Sequence, residues 1–462
     1  MAAATSYLSK NLPANQNSLH KWTFSCWVKR STLNQETYLY NFYDDDNNRG
    51  GLRFNADNSL LYYERIGGST VVNKTTNAKF FDCDAWYHIV VAVDKSISTP
   101  DTKIYVNGVE TVSFSTDTDY TQNLTTKQND NDNLYINSYN GSADIREQSL
   151  THVHWTSGYT YAASDFGATD ATTGIWETKT NPNVTYGTNG FFLKFENSAA
   201  MGTDSSGNSN TFTVNNNVGQ NIDSPSNNFV RINPGWTIEY NSNVGYQSGG
   251  TIIHSNGNNW AAGVTGVTLD KGKWYFESQF NTPGAGDAHV GIADEDKLNM
   301  STSSGGASNR LFYYEDTTGY AYGYYGANGQ MYFSTPSNGT QTASYGNTFG
   351  NSDTIGVFVD LDNSKLYYAK NGTIQNSGTG YSIQANNYYA FGGSCYGTNG
   401  EVRLNFGDGR FDSTKLTGTT YADANGEGVF KYSPNQGGAA NFDSAAKNFY
   451  ALNTTNIKEF GG

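Results

Sequence analysis

Two strand-like runs, Lys103–Val106 and Val109–Val112, are separated only by Asn107-Gly108. A link of that kind closes a type I′ hairpin, because Asn and Gly accept the positive φ that both central positions require. Asn371-Gly372 follows Leu366–Lys370 in the same way. Around these points the chain reads as short runs broken by turn residues every ~8–12 residues, which is the spacing of a β-sandwich. Trp22–Lys29 alternates, with Trp22, Phe24, Cys26 and Val28 on one face and Trp27 on the other beside Thr23 and Ser25.

Further strands are expected at Gly51–Phe54, Leu60–Tyr63, Trp86–Val93, Leu134–Ile136 and Thr151–Trp155. Aromatic residues make up 15% of a chain that is only 36% hydrophobic. That balance favours half-buried strands and argues against disorder, which lacks aromatics. With 462 residues the chain is long enough for two domains. A first module is expected over residues 1–165 and a connector with added strands over 166–243. A second sandwich is expected over 244–410 and a closing segment over 411–462. Strand candidates in the second sandwich include Trp274–Phe280, Val290–Ala293, Leu311–Tyr314, Tyr320–Tyr325 and Thr354–Asp360. A short repeat, Asn228–Asn233 and Asn448–Asn453, shares the pattern N-F-x-x-[IL]-N. It suggests that each module is closed by the same kind of strand.

Several runs in the first part resemble the concanavalin A-like, laminin-G-type jelly roll of bacteriophage virion proteins. They are SYLSK, Lys21–Ser31, Ala85–Asp94, Lys103–Gly108 and Ser164–Trp176, continued by Gly187–Thr213 and Ser224–Pro234. Gly272–Glu277, Val290–Lys297, Tyr322–Gln330 and Asp353–Gly372 resemble a SPRY-type domain. The resemblance implies an all-β chain: two concanavalin A-like β-sandwiches in tandem, joined by a short β-rich connector. It also implies a structural or appendage protein on the surface of a virus particle. No long heptad stalk of the kind common in tail fibres is visible.

Net charge is −14, from 42 acidic and 28 basic residues, and no basic run interleaves with aromatics. Nucleic-acid binding is therefore not expected. The three cysteines, Cys26, Cys83 and Cys395, form no Cys-x-x-Cys pair and read as free thiols. No apolar stretch approaches a membrane span, so no membrane insertion is expected. The N-terminal MAAATSYLSK lacks the layout of a secretory signal, so synthesis in a host cytoplasm is expected.

Enzymatic activity is not expected. Glycosidases need two facing carboxylates, and the nearest run, Asp294-Glu295-Asp296, reads as a polar turn after a strand. No nucleophile elbow, zinc-protease motif or phosphate loop occurs. His152 and His154 alternate on one strand without a third ligand nearby and read as ordinary strand residues. Asp360-Leu361-Asp362-Asn363 reads as a hairpin turn. Asp44, Asp46 and Asn48 offer oxygen ligands at alternate positions of one loop, the kind Ca²⁺ takes. A solvated acidic loop is the competing reading there, and Asn129–Asn133 is a weaker instance. Ca²⁺ is the one cofactor the residues invite.

For a ligand, Tyr320, Tyr322, Tyr324 and Tyr325 could stack on sugar faces, with Tyr313 and Tyr314 just before them. Tyr320, Tyr322 and Tyr324 share one face, which also suits a core. Trp260, in the Asn-rich stretch Asn256–Trp260, is the better candidate for an exposed contact, with a plug that closes the end of the sandwich as an equal reading. Two functions stay open: a homo-oligomeric adhesin holding host surface glycans, and a capsid decoration or head-fibre protein packed on other virion proteins. A polysaccharide hydrolase is the third and most remote.

Overall fold

The computed structural model describes residues 5–13, 19–130, 132–216, 218–234, 244–284, 286–298, 312, 319–412, 415–435 and 448–461. The chain divides into two compact units, Met1–Gln220 and Asn221–Gly462. Each is a sandwich of two mainly antiparallel sheets.

In the first unit an eight-stranded sheet runs in the order Phe114–Thr118, Ser69–Lys79, Ser59–Ile66, Asn48–Phe54, Thr37–Asp45, Asn133–Ile136, Tyr7–Asn11, Thr213–Asn215. It faces a six-stranded sheet built around Lys21–Arg30 and Trp86–Asp94. The core between them takes Leu8, Phe42, Leu52 and Tyr62 from one sheet and Trp22, Phe24, Cys26, Val28 and Trp155 from the other. The alternation expected of Trp22–Val28 is therefore the observed one. Trp27, on the reverse face, stacks on His88 with ring centroids 4.9 Å apart.

The chain from 166 to 220 is built into this first unit. Phe191–Leu193 extends the six-stranded sheet beside Gln148–Ser157, and Thr213–Asn215 extends the eight-stranded sheet beside Tyr7–Asn11. Phe191, Leu193 and Phe212 enter the core, and that burial is what binds the segment to the sandwich.

The second unit has a nine-stranded sheet centred on Lys273–Asn281 and Thr354–Asp360. Its six-stranded partner runs Trp260–Val264, Tyr389–Tyr396, Ala288–Asp294, Ala321–Tyr325, Gln330–Thr335, Asn338–Ser344. The expected strand Leu311–Tyr314, with Tyr313 and Tyr314, lies outside the described residues except for the buried Phe312.

The two copies of the N-F-x-x-[IL]-N repeat do not close separate modules. They pair with each other in the second unit: Phe229 bridges Asn453 antiparallel, and Val230 N donates to Leu452 O at 3.0 Å. Phe229 and Phe449 then pack in one cluster with Tyr275, Phe358 and Tyr367, on the reverse face of the nine-stranded sheet. Among the described residues no helix is long and apolar enough to cross a membrane.

Each unit also holds one fully buried glutamate that ties a non-strand segment to a sheet. Glu64 accepts from Lys127 N (2.9 Å), Gln128 N (3.2 Å), Tyr120 Oη (2.7 Å) and Gln128 Nε2 (3.3 Å). Glu277 accepts from Lys431 N (2.9 Å), Tyr432 N (2.7 Å), Tyr275 Oη (3.1 Å) and Asn405 Nδ2 (3.1 Å). Burial pushes the Glu277 carboxyl up to about 7 from 4.5, against the opposite pull of these donors.

The folded second unit thus keeps a proton that the unfolded chain releases between those two values. Its stability should fall by about 3 kcal/mol as pH rises through that window and level off above it. Urea titrations of the wild type and Glu277→Gln at several pH values check this, because the slope should be absent from the variant. Glu277→Leu should cost about 2–4 kcal/mol above that window, since it strands buried donors, and more below it, where the wild type is at its most stable. Hydrogen exchange at residues 430–432 would report the loosened segment.

Candidate functional site: a tyrosine- and amide-lined groove

Tyr7–Asn11 lies between Asn133–Ile136 and Thr213–Asn215, with Ser9 opposite both Tyr135 and Thr213 and Asn11 opposite Asn133. Leu8, Leu134 and Ile136 point into the core. The pleat therefore turns Tyr7, Ser9, Asn11, Asn133, Tyr135 and Thr213 to the outer face. Together with the loop 140–142 these residues line a groove of about 500 Å³.

The loop closes over the tyrosines because residue 141 is glycine. Its φ is +83°, and a Cβ there would lie 2.9 Å from Tyr135 Cε1 and 3.2 Å from Tyr7 Oη. Ser138 Oγ accepts from Gly141 N at 2.9 Å, and Asn140 Oδ1 accepts from Ser142 N at 3.1 Å. The rings of Tyr7 and Tyr135 are 6.2 Å apart and tilted by 51°. Asn11 Nδ2 donates to Asn133 Oδ1 at 3.2 Å, and Asn215 Nδ2 donates to Ser9 Oγ at 2.9 Å. Burial, with Tyr7 and Tyr43 nearby, raises the Tyr135 hydroxyl, which therefore stays a neutral donor. The wall thus offers two ring surfaces and a set of neutral donors and acceptors.

Of these residues only Asn133 is singled out from the sequence, as the end of the Asn129–Asn133 run and for a cation rather than for this groove. The alternation of Tyr7, Ser9 and Asn11 with Leu8 and Leu12 was there to be read. The meeting of residues 7, 135 and 213 was not.

The tyrosines that were singled out divide between two faces. Tyr322 and Tyr324 are core residues, 4% and 0% exposed, and Tyr320 packs partly buried against the same core. Tyr324 Oη donates to Asn347 O. Tyr325 takes the opposite face and stacks on His289 at 4.4 Å, with its hydroxyl donating to Asp287 Oδ1 at 2.8 Å. Trp260 does not sit in an exposed loop. It opens the strand Trp260–Val264, is 6% exposed and packs on His289 (5.1 Å) and Tyr396 (5.5 Å). An aromatic at a strand's first position is covered by its cross-strand neighbours, here Tyr396.

Asp44, Asp46 and Asn48 do not converge. Thr37–Asp45 and Asn48–Phe54 are neighbouring strands, so this stretch is a hairpin turn. Asp44 pairs with Lys127 Nζ at 3.3 Å. Asp46 accepts from Tyr139 Oη at 2.7 Å and from Arg49 at 2.8 Å. Asn48 donates to Asp45 and accepts from Gly67 N. Asn48 and part of Asp46 thus serve the turn, while Asp44 and Asp46 also reach Lys127 and Tyr139 from distant segments. Within Asn129–Asn133, the Asn129 side chain accepts from Trp155 Nε1 at 3.0 Å, and residue 131 lies outside the described residues. Asp294 accepts from Lys297 N and Tyr320 N, and Asp360 from Asn363, so both hold turns.

One pair looks catalytic by distance alone. Ser25 Oγ lies 2.9 Å from His88 Nε2, and both residues are buried. Trp176 Nε1 donates to His88 Nδ1 at 2.9 Å. An indole N–H can only donate, so Nδ1 carries the lone pair and Nε2 the proton. His88 therefore donates to Ser25 and cannot take its proton. Burial, aided by His152, pushes the imidazole down to about 3, so it stays neutral. His154 is stacked on Phe192 at 3.9 Å, and its Nδ1 is 3.0 Å from Tyr186 Oη.

Residues 4–149 match the family model of the concanavalin A-like lectin/glucanases superfamily, laminin G type, and residues 273–408 match the SPRY domain model. The chain therefore carries a laminin-G-type concanavalin A-like domain followed by a SPRY domain. Among solved structures it is similar to the SPRY domain of human HERC1, with 15% identity over 37% of this chain and 96% of that one and a TM-score of 0.28. It is similar to domains LG4-5 of the mouse laminin alpha1 chain, with 11% identity over 87% and 86% of the two chains and a TM-score of 0.28. A third likeness is to a putative carbohydrate binding protein from Bacteroides ovatus, with 13% identity, 46% and 56% coverage and a TM-score of 0.29. No curated protein matches the chain. Both domain types point to the binding of carbohydrate or protein.

Two outcomes follow from the buried clusters. A fluorophosphonate probe should leave Ser25 unlabelled, as peptide mass spectrometry would show. Trp260→Ala should lower the stability of the second unit by about 3–5 kcal/mol in chemical denaturation, the cost of emptying a packed site.

Proposed function

We propose that this chain is a non-enzymatic carbohydrate-binding protein, and that its sugar site is the groove on the first unit. The observation that carries the reading is the pairing of Tyr7 and Tyr135 with the amides of Asn11 and Asn133 and the hydroxyls of Ser9 and Thr213. A pyranose presents C–H faces that pack on aromatic rings, and its rim of hydroxyls needs both donors and acceptors. Amides and hydroxyls provide both at once. The two tyrosines contribute area at little entropic cost, because each has only two side-chain torsions. Hydrolysis would need two carboxylates across the scissile bond, and the residues lining the groove include neither Asp nor Glu.

A shallow groove binds weakly, so useful affinity would come from several copies engaging one surface. That requirement fits a homo-oligomer displayed on the outside of a virus particle, attached through other virion proteins and holding host glycans. The sequence resemblance of Lys21–Ser31 and Ala85–Asp94 to bacteriophage virion proteins supports this setting.

Purified full-length protein on a glycan array should bind a defined subset. Tyr135→Ala and Asn133→Ala should each weaken that binding about tenfold or more, with the thermal transition unmoved because both side chains face outward. EDTA should leave binding unchanged, since Asp44, Asp46 and Asn48 do not form a common site. Protein that is folded, oligomeric and inert toward every glycan would move the assignment to capsid decoration.

A further inference from the structure

The segment Ala163–Thr178 lies on the outer face of the first unit's six-stranded sheet. Its two strands, Gly167–Thr169 and Trp176–Thr178, pair only with each other among the described residues. No sheet ladder ties this flap down, so side chains must. Phe166 packs with Ala163 on Val90 and lies 5.1 Å from the ring of His154. Trp176 is the other anchor. Its indole fills a socket between Gly108 of the hairpin and Gly167 of the flap, where a Cβ on either glycine would lie 2.5 Å from the ring. From there it stacks on His88 at 5.9 Å and donates Nε1–H to His88 Nδ1 at 2.9 Å. Both anchors therefore end on histidines.

We propose that Ala163–Thr178 is an acid-released flap: protonation of His88 at Nδ1 removes the acceptor of the Trp176 indole, and the flap lifts to uncover His88 and Val90. An imidazolium carries N–H at both nitrogens, so a protonated ring sets N–H against N–H inside the socket. The surrounding charges do not compensate. Lys194 and Glu196, beyond Phe191–Leu193, pair with each other at 3.8 Å. Lys29, two residues along from Trp27 on the same face, is a further cation. Past Tyr105, Lys103 sits between Asp101 and Glu110. On the flap and its flanks Asp165 accepts from Ala162 N, Lys179 donates to Ser164 O, and Glu177 is exposed. Burial keeps the Tyr105 and Tyr186 hydroxyls neutral. His152 and His154 complete the titratable neighbours, and among the described residues no carboxylate hydrogen-bonds to any of the three histidines. With the flap shut, burial holds His88 at about 3 against an ordinary 6.5. The closed state thus has its full hold above about 6.5 and loses it as pH falls toward 3, about tenfold per pH unit for one histidine. His154, covered by Phe166, is held low by the same burial and acts in the same direction.

The test is solvent exchange of indole N–H groups in the full chain carrying isotope-labelled tryptophan, corrected at each pH for the rate of free tryptophan. Protection of Trp176 should fall about tenfold or more per pH unit from about 6 to about 4.5. The indole of Trp155, bonded to Asn129 Oδ1 in the core of the same unit, should keep its protection. His88→Asn presents an amide oxygen that does not titrate, and it should leave Trp176 protected and level across the range. Protection of Trp176 that is level in the wild type, or that falls equally in His88→Asn, overturns the proposal. A fall shared by Trp155 is unfolding of the whole unit and overturns it as well. Trp176→Phe is a second check that needs no change at His88. A two-stranded hairpin is marginal alone, so without the indole donor backbone exchange over residues 163–178 should be as fast at about pH 7 as the wild type's at about pH 4.5. Wild-type protection of that segment in Trp176→Phe overturns the role given to the indole.

Discussion

A sandwich's sheets satisfy their own backbone, but the segments that cross a sheet face do not. In both units that problem is met by one buried strand glutamate. Glu64 and Glu277 have nearly the same donor set: two consecutive backbone N–H groups, a tyrosine hydroxyl and a side-chain amide. Taking a carboxylate out of water costs several kcal/mol and is tolerable only when its lone pairs are all used. Each glutamate meets that condition with four donors. In exchange, two amides of a crossing segment that would otherwise be orphaned find an acceptor. Removing either partner is costly because the other is left buried and unpaired.

In the first unit this pin sits directly upstream of the groove. Glu64 holds residues 127 and 128, and the strand Asn133–Ile136 begins five residues after Gln128. Trp155 Nε1 donates to Asn129 Oδ1, which fixes the same stretch from the other sheet. Lys95 reinforces it by donating to Leu124 O at 2.6 Å, with its ammonium over the rings of Trp22 and Tyr120. The strand therefore enters the sheet in a set register. A slip of one residue would turn Asn133 and Tyr135 into the core and Leu134 outward. The groove's chemistry is thus set by contacts on the far side of the sheet.

Much of the fold was legible in the sequence because it depends on local signals. The Asn107-Gly108 hairpin forms where expected, with both residues at positive φ, and Trp22, Phe24, Cys26 and Val28 point inward together. The sequence was less informative wherever distant segments meet. The chain past residue 166 reads as a connector with added strands, but their partners are not legible, because Phe191–Leu193 and Thr213–Asn215 are three residues long and are defined by pairing with the distant Gln148–Ser157 and Tyr7–Asn11. The N-F-x-x-[IL]-N copies were visible as a repeat, but a pattern cannot say that its two instances lie against each other.

The tyrosines show why a site was harder to read than a fold. Tyrosine has an apolar ring and a polar tip, so it suits a core whose hydroxyls find partners, and equally an outer face. Tyr324 and Tyr325 are neighbours with opposite fates, one wholly buried beside Tyr345 and Tyr368, the other stacked outside on His289. Tyr40 and Tyr62 are likewise interior, with hydroxyls bonded to Gln128 and Tyr120. Tyrosine content alone therefore marks no ligand surface in this chain. What distinguishes Tyr7 and Tyr135 is their company: small polar residues at every outward position of three adjacent strands, and a glycine in the loop above them, where a Cβ would lie only 2.9 Å from Tyr135 Cε1. Where every outward neighbour is polar and uncharged, the rings are the apolar surface the groove offers a ligand.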